Sequence, residues 1–156
     1  MLRRLRPAAW AALAVFTVVL FFVTLVDRTG GGDRTIYLKP FGSFMQMTKW
    51  HGIMYALGQG CGNIVLFIPI GFFLPMVSRI KPWLVIFICT QLSLFIEICQ
   101  YAFRIGVSDI DDLIFNTLGG IFGVILFIIS KKALKRYEKR QKHKKHKKHH
   151  HHKSHK

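Results

Sequence analysis

The sequence predicts an all-α membrane protein, a four-transmembrane-helix bundle with an extracytoplasmic interfacial segment between helices 1 and 2. Three observations lead there. Hydrophobic residues make up 51% of the 156 positions, 14 of them Phe, and they gather in four blocks where a soluble domain would spread them. Each block is about 17–25 residues long, which spans a hydrocarbon core about 30 Å thick at 1.5 Å rise per residue. Inside two blocks the polar residues recur every three or four positions, which places them on one stripe of a helix.

The spans are expected at about 8–26, 60–77, 83–103 and 110–130. The first follows Arg3, Arg4 and Arg6. It is longer than a signal-peptide core, and no small-x-small site follows the run before Asp27, so it reads as an uncleaved span. Residues 27–35, with Gly30 to Gly32, read as a flexible linker. From Ile36 to Leu57, residues such as Phe41, Met45 and Trp50 mix with Lys39, Lys49 and His51. That mixture is too polar to span and too apolar for a free loop, so a helix lying at the outer membrane surface is expected.

In the second span Pro69 removes a backbone donor and predicts a kink. Gly71 permits close contact with a neighbour, and Asn63, about one turn inside, needs a hydrogen-bond partner. A short basic loop, SRIKPW, leads to the third span. Arg104–Val107 is the turn that follows. Ser108 is the expected N-cap of the fourth span, with Asp111 completing a capping box. Gly119 and Gly123 form a small-xxx-small pair suited to helix packing.

The formal charge of +16 is concentrated at one end. From Lys131 onward there are 13 Lys or Arg against one Glu. Residues 1–130 therefore read as the transmembrane domain and 131–156 as a disordered Lys/His-rich tail, helical at most in its first turns. Such a tail is attracted to anionic lipids. Its basic residues form an appendix and not the face of a folded domain, so no specific nucleic-acid partner is expected. Four spans place Arg3, Arg4, Arg6, Arg79, Lys81 and the tail on one side, which the positive-inside rule assigns to the cytoplasm. The expected location is a bacterial cytoplasmic membrane, with both termini cytoplasmic. Cys61, Cys89 and Cys99 match no metal or redox spacing; they read as small apolar residues, and no metal or cofactor is expected.

The two polar stripes are Thr90, Ser93, Glu97, Gln100 and Arg104 on the third span, and Asp109, Asp112, Asn116, Gly119 and Gly123 on the fourth. The joining turn is short, so the two helices are antiparallel neighbours whose stripes face each other. Lipid cannot solvate a carboxylate or guanidinium, so these groups belong in the bundle interior or a water-filled cavity. Glu97 lies about 21 Å along its helix from Trp83 at 1.5 Å per residue, level with Asp109, Asp112 and Asn63. The candidate ligand-binding set is Glu97, Arg104, Asp112 and Asn116, supported by Asn63, Gln100 and Asp109. Pairing of Arg104 with Asp109 or Asp112, and of Glu97 with Asn116 or Asn63, is expected across the helices. Thr90 and Ser93 are expected to bond their own helix carbonyls. A purely structural seam is the alternative.

The runs GNIVLFIPIGFFLP, then FIEICQ, then an Arg, two Asp, an Asn and a Gly pair over Arg104–Gly120 resemble the VanZ-like family of small bacterial membrane proteins. The resemblance covers about residues 36–130. It rests on Asn63, Pro69, Gly71, Glu97, Gln100, Arg104, Asp109, Asp112, Asn116 and Gly119 in that order; the Lys/His tail lies outside it. The family is named for an accessory determinant of low-level teicoplanin resistance, so the resemblance implies a role in glycopeptide response, without supplying a reaction.

Three function classes follow. One binds or transports an amphipathic, anionic or lipid-linked molecule, including a lipophilic glycopeptide, with Arg104 on a phosphate or carboxylate. One is a hydrolase or transferase on lipid-linked envelope substrates, using Glu97, Asp109 or Asp112 as base or metal ligand. The sequence carries no HExxH or GxSxG, which favours binding over catalysis. The third is a non-catalytic partner of another envelope protein.

Overall fold

The computed structural model describes residues 5–26, 36–105 and 107–153, the last 12 of these as backbone only. Arg3, Arg4, the expected 27–35 linker and the side chains of the tail beyond Gln141 lie outside the described residues. The chain is almost wholly helical. α1 spans Arg6–Phe21 and passes into a π-helical turn, Phe22–Val26. A two-residue strand β1, Ile36–Tyr37, precedes α2, Gly42–His51. α3 spans Ile53–Ser78, α4 Pro82–Phe103, β2 Ser108–Asp109 and α5 Ile110–Lys153. Four of these helices, α1, α3, α4 and α5, are long and apolar enough to cross a membrane.

Helix boundaries follow from local chemistry. Pro7 and Pro82 stand in the first turns of α1 and α4, where the missing N–H is not needed. α2 and α3 are separated by Gly52 alone, at φ 85, a backbone region that glycine enters without a Cβ penalty. The second span therefore starts at Ile53, earlier than the expected residue 60, because Ile53–Leu57 continues its apolar run. The interfacial segment shrinks to β1 and α2. α3 runs through Pro69 and Pro75 as one helix. α5 also exceeds its expected end: its backbone stays helical to Lys153, where the sequence reading has a disordered tail from 131. Lys, Arg, Glu and Gln are good helix formers, and neither Gly nor Pro follows Gly123.

α3 is the central element, packed most extensively on α5 and also on α1, α2 and α4, while α5 packs on α4 as well and the turn after α1 reaches α4. Small residues make the α3–α5 contact. A Cβ added to Gly119 would collide with the Ile64 carbonyl oxygen, one on Gly123 with that of Ile68, and one on Gly71 with that of Gly120. A Cβ on Gly120 would stand 2.8 Å from the Cys89 Cβ of α4. Backbones that close gain dispersion contact where lipid supplies no hydrophobic drive. Around this seam Leu13, Leu20, Phe67, Ile70, Val85, Ile96 and Val124 form the buried core. Trp10, Val18, Val65, Phe87 and Ile129 are exposed, as expected of lipid-facing positions.

The two ends of the bundle differ chemically. At one end an Arg6 Nη2 donates to the Val77 carbonyl at 2.8 Å, and Arg79, Lys131, Lys132 and Lys135 gather around one cavity. At the other, β1 pairs in parallel with β2, Ile36 opposite Ser108 and Tyr37 opposite Asp109. This bridge brings α2 beside the start of α5. We refer to these as the basic end and the polar end.

Candidate functional site

Near the polar end, a layer of polar side chains crosses the bundle. It is built from the α4 stripe, the first turns of α5, and single residues of α3 and of the π-helical turn after α1. From α3, Asn63 is buried and its Nδ2 donates to Asp112 Oδ1. From α4, Glu97 is buried and its Oε2 accepts the Asp109 N–H at 2.7 Å. One turn deeper, Asn116 Nδ2 donates to Ser93 Oγ at 2.8 Å. The Thr90 and Thr117 hydroxyls meet at 3.2 Å, and Thr90 Oγ1 also donates to its own helix at the Ile86 carbonyl, 3.0 Å. From the π-helical turn after α1, the Thr24 carbonyl accepts from Gln100 Nε2 at 3.0 Å.

Two acceptors in this layer stand out. Gln100 and Asn116 are 1% and 3% exposed, and Gln100 Oε1 and Asn116 Oδ1 are buried without a hydrogen-bond donor among the described residues. Each leaves an amide oxygen desolvated at a cost of about 1–3 kcal/mol. Beside the layer lies a cavity of about 290 Å³ between the end of α1 and the first half of α3, lined by Val23, Thr24, Gly58, Gln59, Gly62, Asn63 and Leu66. Thr24 and Asn63 belong to both, so the cavity wall and the polar layer are continuous.

The acidic residues divide their work. Asp111, 2% exposed, turns away from the layer and caps α2. Its Oδ1 accepts the Phe41 N–H, and its Oδ2 accepts Ser43 Oγ at 2.8 Å and the Phe44 N–H at 3.1 Å. A carboxylate at a helix N-terminus satisfies free N–H groups and meets the positive end of the helix dipole. α2 lacks a capping side chain of its own, so Asp111 supplies one from α5. Asp109 caps α5, its Oδ1 accepting the Asp111 N–H at 2.9 Å. Burial raises the Asp109 pKa above the ordinary carboxylate value; hydrogen bonds from Ser43 and the Asp111 N–H oppose the rise, and the charges of Asp112 and Asp111 add to it.

Several sequence expectations change in detail. The N-cap of α5 is Asp109 and not Ser108, because Ser108 is drawn into the bridge with Ile36. Glu97 meets a backbone N–H where an Asn side chain was expected. Ser93 accepts from Asn116 across the helix pair. Arg104 is exposed, its φ is 58, and the expected pairing with Asp109 or Asp112 is not formed among the described residues. The chain leaves the helix at that residue, so the stripe that aligns Ser93, Glu97 and Gln100 no longer governs it. Thr24 and Ser43 were missed. Neither belongs to a periodic polar set, so no sequence signal pointed to them.

These features define the class: a polytopic helical membrane protein with a polar layer inside its bundle. A family model described as VanZ/LLP1 matches residues 8–131, and the chain belongs to that family. The match reaches back to include most of α1 and the π-helical turn that supplies Thr24 to the layer. Among curated proteins, the chain is 34% identical over 108 residues to Protein VanZ of Enterococcus faecium. The aligned part is 67% of this chain and 59% of that protein, so the chain spans less than two thirds of its relative's length. No solved structure matches the chain.

Proposed function

We propose that this protein contributes to the response to teicoplanin-type glycopeptides by binding an amphipathic or lipid-linked molecule in the polar layer. The observation that carries the reading is the pair of buried amide oxygens, Gln100 Oε1 and Asn116 Oδ1, that have no donor among the described residues and lie in a layer continuous with a cavity. A layer built only to hold helices together would supply such acceptors with donors or replace them by apolar groups. A ligand bearing amide, amine or hydroxyl donors would satisfy them. Asn63 and Thr24 form the cavity wall through which it would reach them.

Arg104 stands apart from the paired layer as a cation for a phosphate or carboxylate. Its left-handed backbone supports that role. Glycine is the residue favoured at such a helix terminus, and a non-glycine residue there costs about 1 kcal/mol or more. The family relationship to Protein VanZ supplies the class of response. By the positive-inside rule, the basic residues gathered at one end support a cytoplasmic position for that end and an outer-leaflet position for the polar layer in a bacterial cytoplasmic membrane. The cationic continuation of α5 would then lie near anionic lipids.

The test is susceptibility of a host carrying wild type, Glu97→Gln or Arg104→Lys, with membrane expression matched. Wild type is expected to shift susceptibility to a lipophilic glycopeptide, and both variants to lose most of the shift. Full retention of the shift by both variants would make the layer a structural seam.

A further inference from the structure

The basic end holds a second cavity, of about 510 Å³, between the end of α3, the start of α4 and the middle of α5. We propose that it is a headgroup site for one anionic phospholipid. Its polar wall is Arg79, Lys131, Lys132 and Lys135, and no acidic side chain lines it among the described residues. Its other wall is apolar, including Pro75 and Phe127. A phosphodiester with attached acyl chains has that same division. The phosphate meets the cations, and the first acyl carbons meet Pro75 and the Phe127 ring, over which the Lys131 Nζ stands at 5.6 Å.

Two further observations point to an anion. Pro82 lines the cavity and opens α4, so the positive end of a 22-residue helix faces it. Arg79 ends α3 at φ 59, where glycine would be unstrained. An arginine kept in a left-handed conformation beside three lysines is explained by a ligand for its guanidinium. The site differs from diffuse attraction of a cationic tail because it names four side chains at one place and leaves the later lysines out. It is also independent of the reading given for the polar layer.

The experiment uses the purified full chain in phosphatidylcholine nanodiscs doped with phosphatidylglycerol, with bound lipid counted by native mass spectrometry. Wild type is expected to retain one phosphatidylglycerol. The pair Lys132→Gln/Lys135→Gln is expected to weaken retention about tenfold, since two charge-assisted contacts are lost. The pair Lys139→Gln/Arg140→Gln removes the same charge farther along α5 and should change retention less than twofold. Equal losses from the two pairs, or no loss from either, would overturn the site. Inorganic phosphate at constant ionic strength is expected not to displace the lipid; displacement would mark a free-anion site and refute the lipid assignment.

Discussion

α5 presents two faces that do different work. Toward α3 it offers Gly119 and Gly123, which bring backbone against backbone with no room for a methyl group. Toward α4 it offers Asn116 and Thr117, whose side chains meet Ser93 and Thr90. Both faces follow helical periodicity, and sequence alone could assign either to adhesion. The difference is in completeness. The glycine face is filled, whereas the polar layer leaves two acceptors without donors among the described residues. Interhelical hydrogen bonds in membranes average about 0.6 kcal/mol, so the polar layer adds little to a contact the glycines already make. Its cost is what the proposed ligand-binding role would account for.

The comparison breaks most visibly at Gly123. Gly123→Leu should destabilise the bundle by about 3 kcal/mol or more, because the new side chain meets α3 backbone that cannot yield. Gly62→Ala, with nothing within 4 Å of the added methyl, should stay within about 0.5 kcal/mol of wild type. Equilibrium unfolding in mixed detergent reads both.

Asp111→Ala should come next. It strips α2 of its cap and leaves the Phe41 and Phe44 N–H groups unpaired, a loss of about 1–2 kcal/mol. Hydrogen exchange should rise across Gly42–His51 and stay unchanged in α3–α5.

The smallest effect concerns pH. The carboxyl of Asp109 is raised by burial, so the folded state holds its proton more tightly than the unfolded chain. Its contribution to stability is full below the ordinary carboxylate pKa and is lost as pH rises through the raised value. Asp109→Asn should therefore lose less stability than wild type between acid and neutral pH, as read by thermal melts across that range.

Much of this architecture was legible in the sequence, because apolar length and three-four spacing report the spans and their stripes directly. Glu97, Gln100 and Asn116 were identified as inward-facing because helices repeat regularly. What periodicity cannot convey is a partner in a distant segment. The bond from Asp111 to Phe41 crosses 70 residues, and nothing in Asp111-Asp112 says which carboxylate turns to α2 and which to Asn63. Thr24 is a single hydroxyl residue in an apolar run, so its carbonyl could not be foreseen as the partner of Gln100. Arg104 was assigned by extending a helix one residue beyond its end.

The most direct test of a ligand-ready layer pairs stability with function in Gln100→Met and Asn116→Leu, near-isosteric changes that remove the unpaired oxygens. Stability within about 1 kcal/mol of wild type or higher, together with loss of the glycopeptide susceptibility shift, is the predicted result. Loss of several kcal/mol of stability with the susceptibility shift intact would contradict it and make the layer an adhesive seam.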